Sequence, residues 1–155
     1  MTTTDTSTTN TSITDTSTTH VPATDTSSTD TLTSTDHRAV VDGYFDCWNT
    51  TDPAERVAAV QRVYTPEAHL VDPLVDVIGH DALVELFANF HVTYAGHSFR
   101  RSGGIDAHHN LVRWGWEMVD ADGNVVLDGI DAALLADDGR ISFVAGFFGA
   151  ALPAV

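Results

Sequence analysis

Residues 110–135 read NLVRWGWEMVDADGNVVLDGIDAALL, and this stretch decides the fold. It divides at Asp120-Ala121-Asp122-Gly123-Asn124, a turn-forming cluster in which glycine is free to take positive φ. Before the turn, Val112, Trp114, Trp116 and Met118 occupy one set of alternate positions, and Leu111, Arg113, Gly115 and Glu117 occupy the other. After it, Leu127, Gly129, Asp131, Ala133 and Leu135 form an alternate row in which Asp131 is the sole ionisable member. A period of two is the signature of a strand with one buried face. Two such runs joined by an Asp-Gly turn predict an antiparallel hairpin.

The same period continues outward. Asp137-Asp138-Gly139 is a second turn, followed by a strand-like run from Arg140 to Phe148, and another run near Ser98 to Arg101 precedes the hairpin. Four consecutive strands predict an antiparallel sheet. Upstream of His97 the spacing becomes helical. From Asp36, the residues Val40, Val41, Tyr44, Phe45 and Trp48 recur at three- and four-residue intervals and predict a first helix buried on one face. Asp52-Pro53-Ala54-Glu55 supplies an N-cap, a first-turn proline and a Glu at the third helical position, which start a second helix with Val57, Val60 and Tyr64 inward. Thr65-Pro66 ends it, and Ala68 to Asp72 reads as a short strand closed by Pro73. Gly79-His80-Asp81 opens a third helix with Leu83, Leu86, Phe87 and Phe90 as its apolar stripe. Helices segregated from strands must cover one face of the sheet. The expected fold is α+β, a curved antiparallel sheet wrapped over three N-terminal helices, a cone with a pocket between the layers.

Composition bounds the rest. The chain has 155 residues, enough for one domain, placed here at 36–155. Residues 1–35 are dominated by Thr, Ser and Asp, with Ile13, Val21 and Leu32 as their only large aliphatics, and read as a disordered tail. The formal net charge is -15, and every one of the 7 basic residues is an arginine. An acidic surface repels phosphate backbones, so neither nucleic acid nor an anionic membrane is an expected partner. No run is long and apolar enough to span a bilayer, and no signal-peptide core precedes the tail, so the expected compartment is the cytoplasm. Cys47 is the single cysteine, which excludes an internal disulfide.

Tyr44-Phe45, Val71-Asp72-Pro73, Gly79-His80-Asp81, Gly129-Ile130-Asp131, Asp138-Gly139-Arg140-Ile141 and Gly146-Phe147-Phe148-Gly149 follow one another in an order that resembles the SnoaL-like branch of the nuclear transport factor 2-like superfamily. The resemblance runs from about Asp36 to Ala150. Within that superfamily the ketosteroid isomerases are similar at three positions: Tyr44, Asp72 and Asp131. What the resemblance implies is a cofactor-independent proton transfer. Asp72 would remove a proton next to a carbonyl, while Tyr44 and a protonated Asp131 donate hydrogen bonds to the enolate oxygen, the pairing of a base with a neutral acid that those isomerases use. It also implies a homodimer packed through the outer face of the sheet. An Asp alone in an apolar row is expected to hold its proton, because burial disfavours the charged form.

Trp114, Trp116 and Met118 share one strand face and are expected to line the pocket, together with Phe87 of the third helix and an inward His109. Such walls suit a small hydrophobic molecule. No metal is expected, because His69, His80, His91, His97, His108 and His109 fall into no ligating spacing. Cys47 is expected to be a small buried hydrophobe. Epoxide hydrolases of the same superfamily would want Arg-x-Asp on the Trp strand, whereas Arg113 is followed by Trp114-Gly115. A non-catalytic binding module with the same cone is the alternative function.

Overall fold

The computed structural model describes residues 34–149. The expected tail lies outside the described residues, except that Ser34 and Thr35 begin the first helix, two residues ahead of the expected start. Helix α1 spans Ser34–Asn49 and helix α2 Pro53–Val63. Asp52 caps α2 as its sequence requires, its Oδ1 accepting from the backbone N–H groups of Ala54 and Glu55 at 2.9 Å each. Arg56, only 5 % exposed, lies across the junction and donates to the carbonyls of Thr50 and Thr51, which fixes the α1–α2 corner.

Strand β1 runs Tyr64–Val71, four residues earlier than Ala68. Tyr64, expected on the inner face of the second helix, instead begins the strand with φ -110° and ψ 150°. The reason is local: Pro66 disfavours helical geometry in the residue before it, and the extended backbone propagates back to Tyr64. A three-residue strand β2, Asp76–Ile78, returns antiparallel along β1. Then follow α3 His80–Thr93, β3 Ser98–His108, β4 Leu111–Val119, β5 Val125–Leu135 and β6 Ile141–Phe148.

The sheet has six strands in the order β2-β1-β6-β5-β4-β3. The four consecutive strands β3 to β6 pair antiparallel as expected, and β1 joins them in parallel to β6, with Leu70 opposite Val144 and Val71 opposite Ala145, so the whole sheet is mixed. A parallel pair requires a long crossover. Here α3 and the meander β3–β5 supply it. The register slips between Ser102 and Ile105, where Gly103 has φ 74°, and this bulge bends β3. The sheet curves without closing, and its concave face packs on the helices.

The alternation read from residues 111–135 holds from Leu111 to Met118 and from Gly129 to Leu135. Val112, Trp114, Trp116 and Met118 are buried, as are Gly129, Asp131, Ala133 and Leu135, and all of them face the helices. The fully buried centre includes Trp114, Tyr64, Phe87, Leu83, Ile141 and Val41. Cys47 is among them at 0 % exposure, and burial pushes its thiol up to about 12, so it is unreactive packing, as expected.

Candidate functional site

A cavity of about 200 Å³ lies between α1, α3 and the concave face of the sheet. Tyr44, Asp72 and Asp131 all line it. Its walls are otherwise mostly apolar, with Trp48, Phe90, Phe99, Met118 and Phe148 among them, and Leu74, 73 % exposed, stands at its rim. Among the described residues, no arginine or histidine lines it.

Asp131 is the polar centre. It sits mid-strand on β5, 3 % exposed, and both of its oxygens are occupied. The Tyr44 hydroxyl donates to Oδ2 at 2.5 Å, and the Trp116 indole N–H donates to Oδ1 at 2.8 Å. The Asp131 carboxyl stands raised at about 6: burial raises it most, the Tyr44 and Trp116 donors offset part of that, and the nearby charge of Asp72 adds to it. The Tyr44 hydroxyl is held well above its ordinary range, first by burial and then by the charge of Asp131, so it stays protonated.

Asp72 is placed differently. It follows the last residue of β1, and its Oδ1 accepts from the backbone N–H groups of Leu74 and Val75 at 2.7 Å and 3.0 Å. That is the turn-capping role an Asp before Pro is suited to. Its Oδ2 has no partner among the described residues. Gly146 of β6, opposite Asp131 in the ladder, separates the two acids: a Cβ there would stand 3.0 Å from Asp131 Oδ1 and 3.0 Å from Asp72 Cβ. The missing side chain leaves the two carboxyl groups facing a shared space.

Of the other expected contacts, Trp116 and Met118 line the cavity. Trp114 and Phe87 do not. They pack against the residues that do, Trp114 with its ring 4.9 Å from Tyr44 and Phe87 with its ring 4.6 Å from Trp48. His109 is corrected outright: it is exposed in the β3–β4 turn with φ 55°, its Nδ1 3.2 Å from that of His108, and it is not part of the lining. His109 and Asn110 make the turn there, and His108, the last residue of β3, is exposed, so neither histidine faces inward. Among the described residues, no group of three or more His, Cys, Asp or Glu is arranged to hold a metal ion. No described helix is long and apolar enough to cross a membrane.

Sequence reasoning passes over Trp48 as a lining residue and Asn49 as the support behind it. Trp48 follows Tyr44 by one helical turn, a spacing that puts both on one face. Asn49 joins the end of α1 to the sheet, donating through Nδ2 to the Phe99 carbonyl and accepting the Phe99 N–H, each at 2.8 Å.

Residues 41–144 match the family described as the SnoaL-like domain. Among solved structures, the chain is similar to a candidate isomerase of the SnoaL-like family from Agrobacterium tumefaciens, with 28 % identity and a TM-score of 0.72 over 75 % of this chain and 99 % of that one. It is also similar to a protein of unknown function with a cystatin-like fold from Methylobium petroleophilum, with 19 % identity and a TM-score of 0.63 over 79 % and 82 % of the two chains. A candidate SnoaL-like polyketide cyclase from Jannaschia aligns with 15 % identity and a TM-score of 0.59 over 74 % and 85 %. The last two likenesses establish the fold alone. No curated protein matches the chain.

Proposed function

The chain belongs to the SnoaL-like family, and from that premise we propose that it moves a proton next to the carbonyl of a small hydrophobic ketone or polyketide-like enol, as an isomerase or cyclase does. One observation carries the reading: a buried carboxyl that titrates near 6 and a second carboxyl with a free oxygen line the same apolar cavity, with a tyrosine hydroxyl beside the first. A buried acid held above its ordinary range, beside a second carboxyl group in an apolar cavity, is raw material for acid–base catalysis.

In this reading Asp72 Oδ2 takes the proton from carbon. The C–H electrons form a carbon–carbon double bond, the carbonyl π electrons move onto oxygen, and donors stabilise the enolate. Both Asp131 oxygens already accept a hydrogen bond. A proton on Asp131 is therefore best used through Tyr44, by donation to the phenol oxygen while the phenol O–H turns to the enolate. The cap on Asp72 Oδ1 holds the base in place and leaves Oδ2 for the substrate. That same cap favours the second reading, a non-catalytic binding module, because it explains Asp72 without any chemistry.

Deuterium exchange separates the two. Acetophenone and cyclohexanone in D₂O should exchange their α-protons faster with the protein than in buffer, and the rate should fall as pH rises through about 6, where Asp131 loses its proton. Asp72→Asn keeps an oxygen for the turn but removes the base. It should lower the rate by a factor on the order of 100 or more with ketone binding retained. Ketone binding without any acceleration would make the protein a binding module.

A further inference from the structure

Along β4 and β5 the cavity wall runs away from its buried acid. Trp114 lies opposite Asp131, and Met118 lies opposite Leu127 four residues further along β4, roughly 13 Å away at the rise of a strand. On its other side Met118 faces Phe99, whose ring lies 4.8 Å from that of Phe90 on α3. The C-terminal half of α3 therefore stands at the end of the cavity remote from Asp131. The cavity opens to solvent there, with Leu74 and Tyr94, 73 % and 39 % exposed, among its lining. A ligand seated at Asp131 can extend outward past this rim.

Leu86, Asn89, Phe90 and Thr93 all line the cavity, at spacings of three and four residues that put them on one face of α3. Two of the four are polar, exposed and uncommitted. The other described asparagines, Asn49, Asn110 and Asn124, each donate to a carbonyl or carboxylate oxygen, and Thr50 turns its hydroxyl back onto the Asp46 carbonyl, whereas the side chains of Asn89 and Thr93 have no partner among the described residues.

We propose that Asn89 and Thr93 form a rim subsite that binds a neutral hydrogen-bonding group, a hydroxyl or a carbonyl, at the outer end of the ligand. The inference rests on the reading of this cavity as a ketone site and names its substrate class: an elongated apolar ketone that carries a second neutral polar group far from the carbonyl.

The chemistry of the rim fits such a group. An amide and a hydroxyl each donate and accept, so a ligand hydroxyl can give one bond and take another. Among the described residues the lining holds two carboxyl groups and no arginine or histidine, so an anionic group meets repulsion and finds no cation. A rim bond replaces bonds to water, so its effect on affinity is a small factor. Its larger effect is on orientation: a ligand fixed at the rim by its polar end must enter with its ketone towards Tyr44 and Asp131.

The test compares two cyclohexanones by calorimetry on the full chain, one bearing a para-hydroxyphenyl group opposite the carbonyl and the other a plain phenyl group. They differ in a single hydroxyl at the end remote from the ketone. The phenol should bind about fivefold more tightly. Asn89→Leu combined with Thr93→Val keeps side-chain volume at two exposed positions, and should bring the two ketones within about twofold of each other by weakening the phenol alone. In the wild-type protein, the Asn89 side-chain amide resonances should move further with the phenol than with its parent. Equal affinities in the wild-type protein, or a preference for the phenol that survives the double substitution, would overturn the rim subsite while leaving Asp72 and Asp131 in their roles. Failure of both ketones to bind the wild-type protein would overturn the cavity reading as well.

Discussion

The two faces of β4 and β5 carry the same period and opposite physics. On the concave face, Trp114, Trp116, Gly129 and Asp131 are buried, and the one ionisable group among them is held by a tyrosine and an indole. On the convex face, Arg113 pairs with Asp106 at 2.8 Å with both side chains about two-thirds exposed, and Arg100 pairs with Glu117 at 2.7 Å. Exposed pairs stand in high dielectric and contribute little. A buried carboxyl is sensitive to every neighbour. Chemistry is therefore concentrated on one side of a two-residue alternation, and substitutions one position apart should differ in effect by several-fold in energy.

Gly129→Ala should show the largest effect. A Cβ at this position would overlap the Phe147 carbonyl oxygen and the Trp116 ring, so the indole must leave Asp131. Overpacking together with a lost buried hydrogen bond should cost about 4 kcal/mol, read from the denaturant midpoint at constant slope. A loss under half of that would show that the concave face yields more readily than its packing implies.

Asp131 should come next, through pH. Its folded value, about 6, lies above the ordinary 3.8, so between those values the folded state binds more proton than the unfolded one. Stability from this group is then present at low pH and is lost as pH rises towards 6, a difference of about 3 kcal/mol. The stability of the wild-type protein relative to Asp131→Asn should fall by that amount from pH 4 to pH 7 and then stay level. A difference that does not change with pH would break the contrast between the faces. Arg113→Ala, on the convex side, should have the smallest effect, within about 0.5 kcal/mol, and should leave acetophenone affinity unchanged.

What is legible in the sequence follows from how local each signal is. The inward rows of β4 and β5 can be read residue by residue, because a period of two needs no tertiary information. Tyr44, Asp72 and Asp131 emerge from the order of motifs, and the cavity brings all three together. Depth along a strand is not legible. Trp114 and Trp116 share a face, yet only Trp116 reaches the cavity, because the packing of α1 and α3 decides where the space opens. Strand β2 is three residues long and has no periodicity to detect. The parallel pairing of β1 with β6 joins residues more than seventy positions apart and leaves no local trace. His109 defeats a reading by alternation because the turn that holds it carries no glycine or Asp-Gly signal, its φ of 55° being taken up by a histidine. The helical spacing of Trp48 marks it as core, which is correct for the ring and silent about the cavity it lines.

The proton transfer proposed for this cavity depends on one acid holding its proton where an ordinary aspartate would not. The direct measurement is the side-chain carboxyl ¹³C shift of Asp131 followed through pH in the wild-type protein, assigned by its loss in Asp131→Asn. A midpoint near 6 is the result the structure predicts; a midpoint at the ordinary 3.8 would contradict it and leave Asp131 a structural anchor for Tyr44 and Trp116.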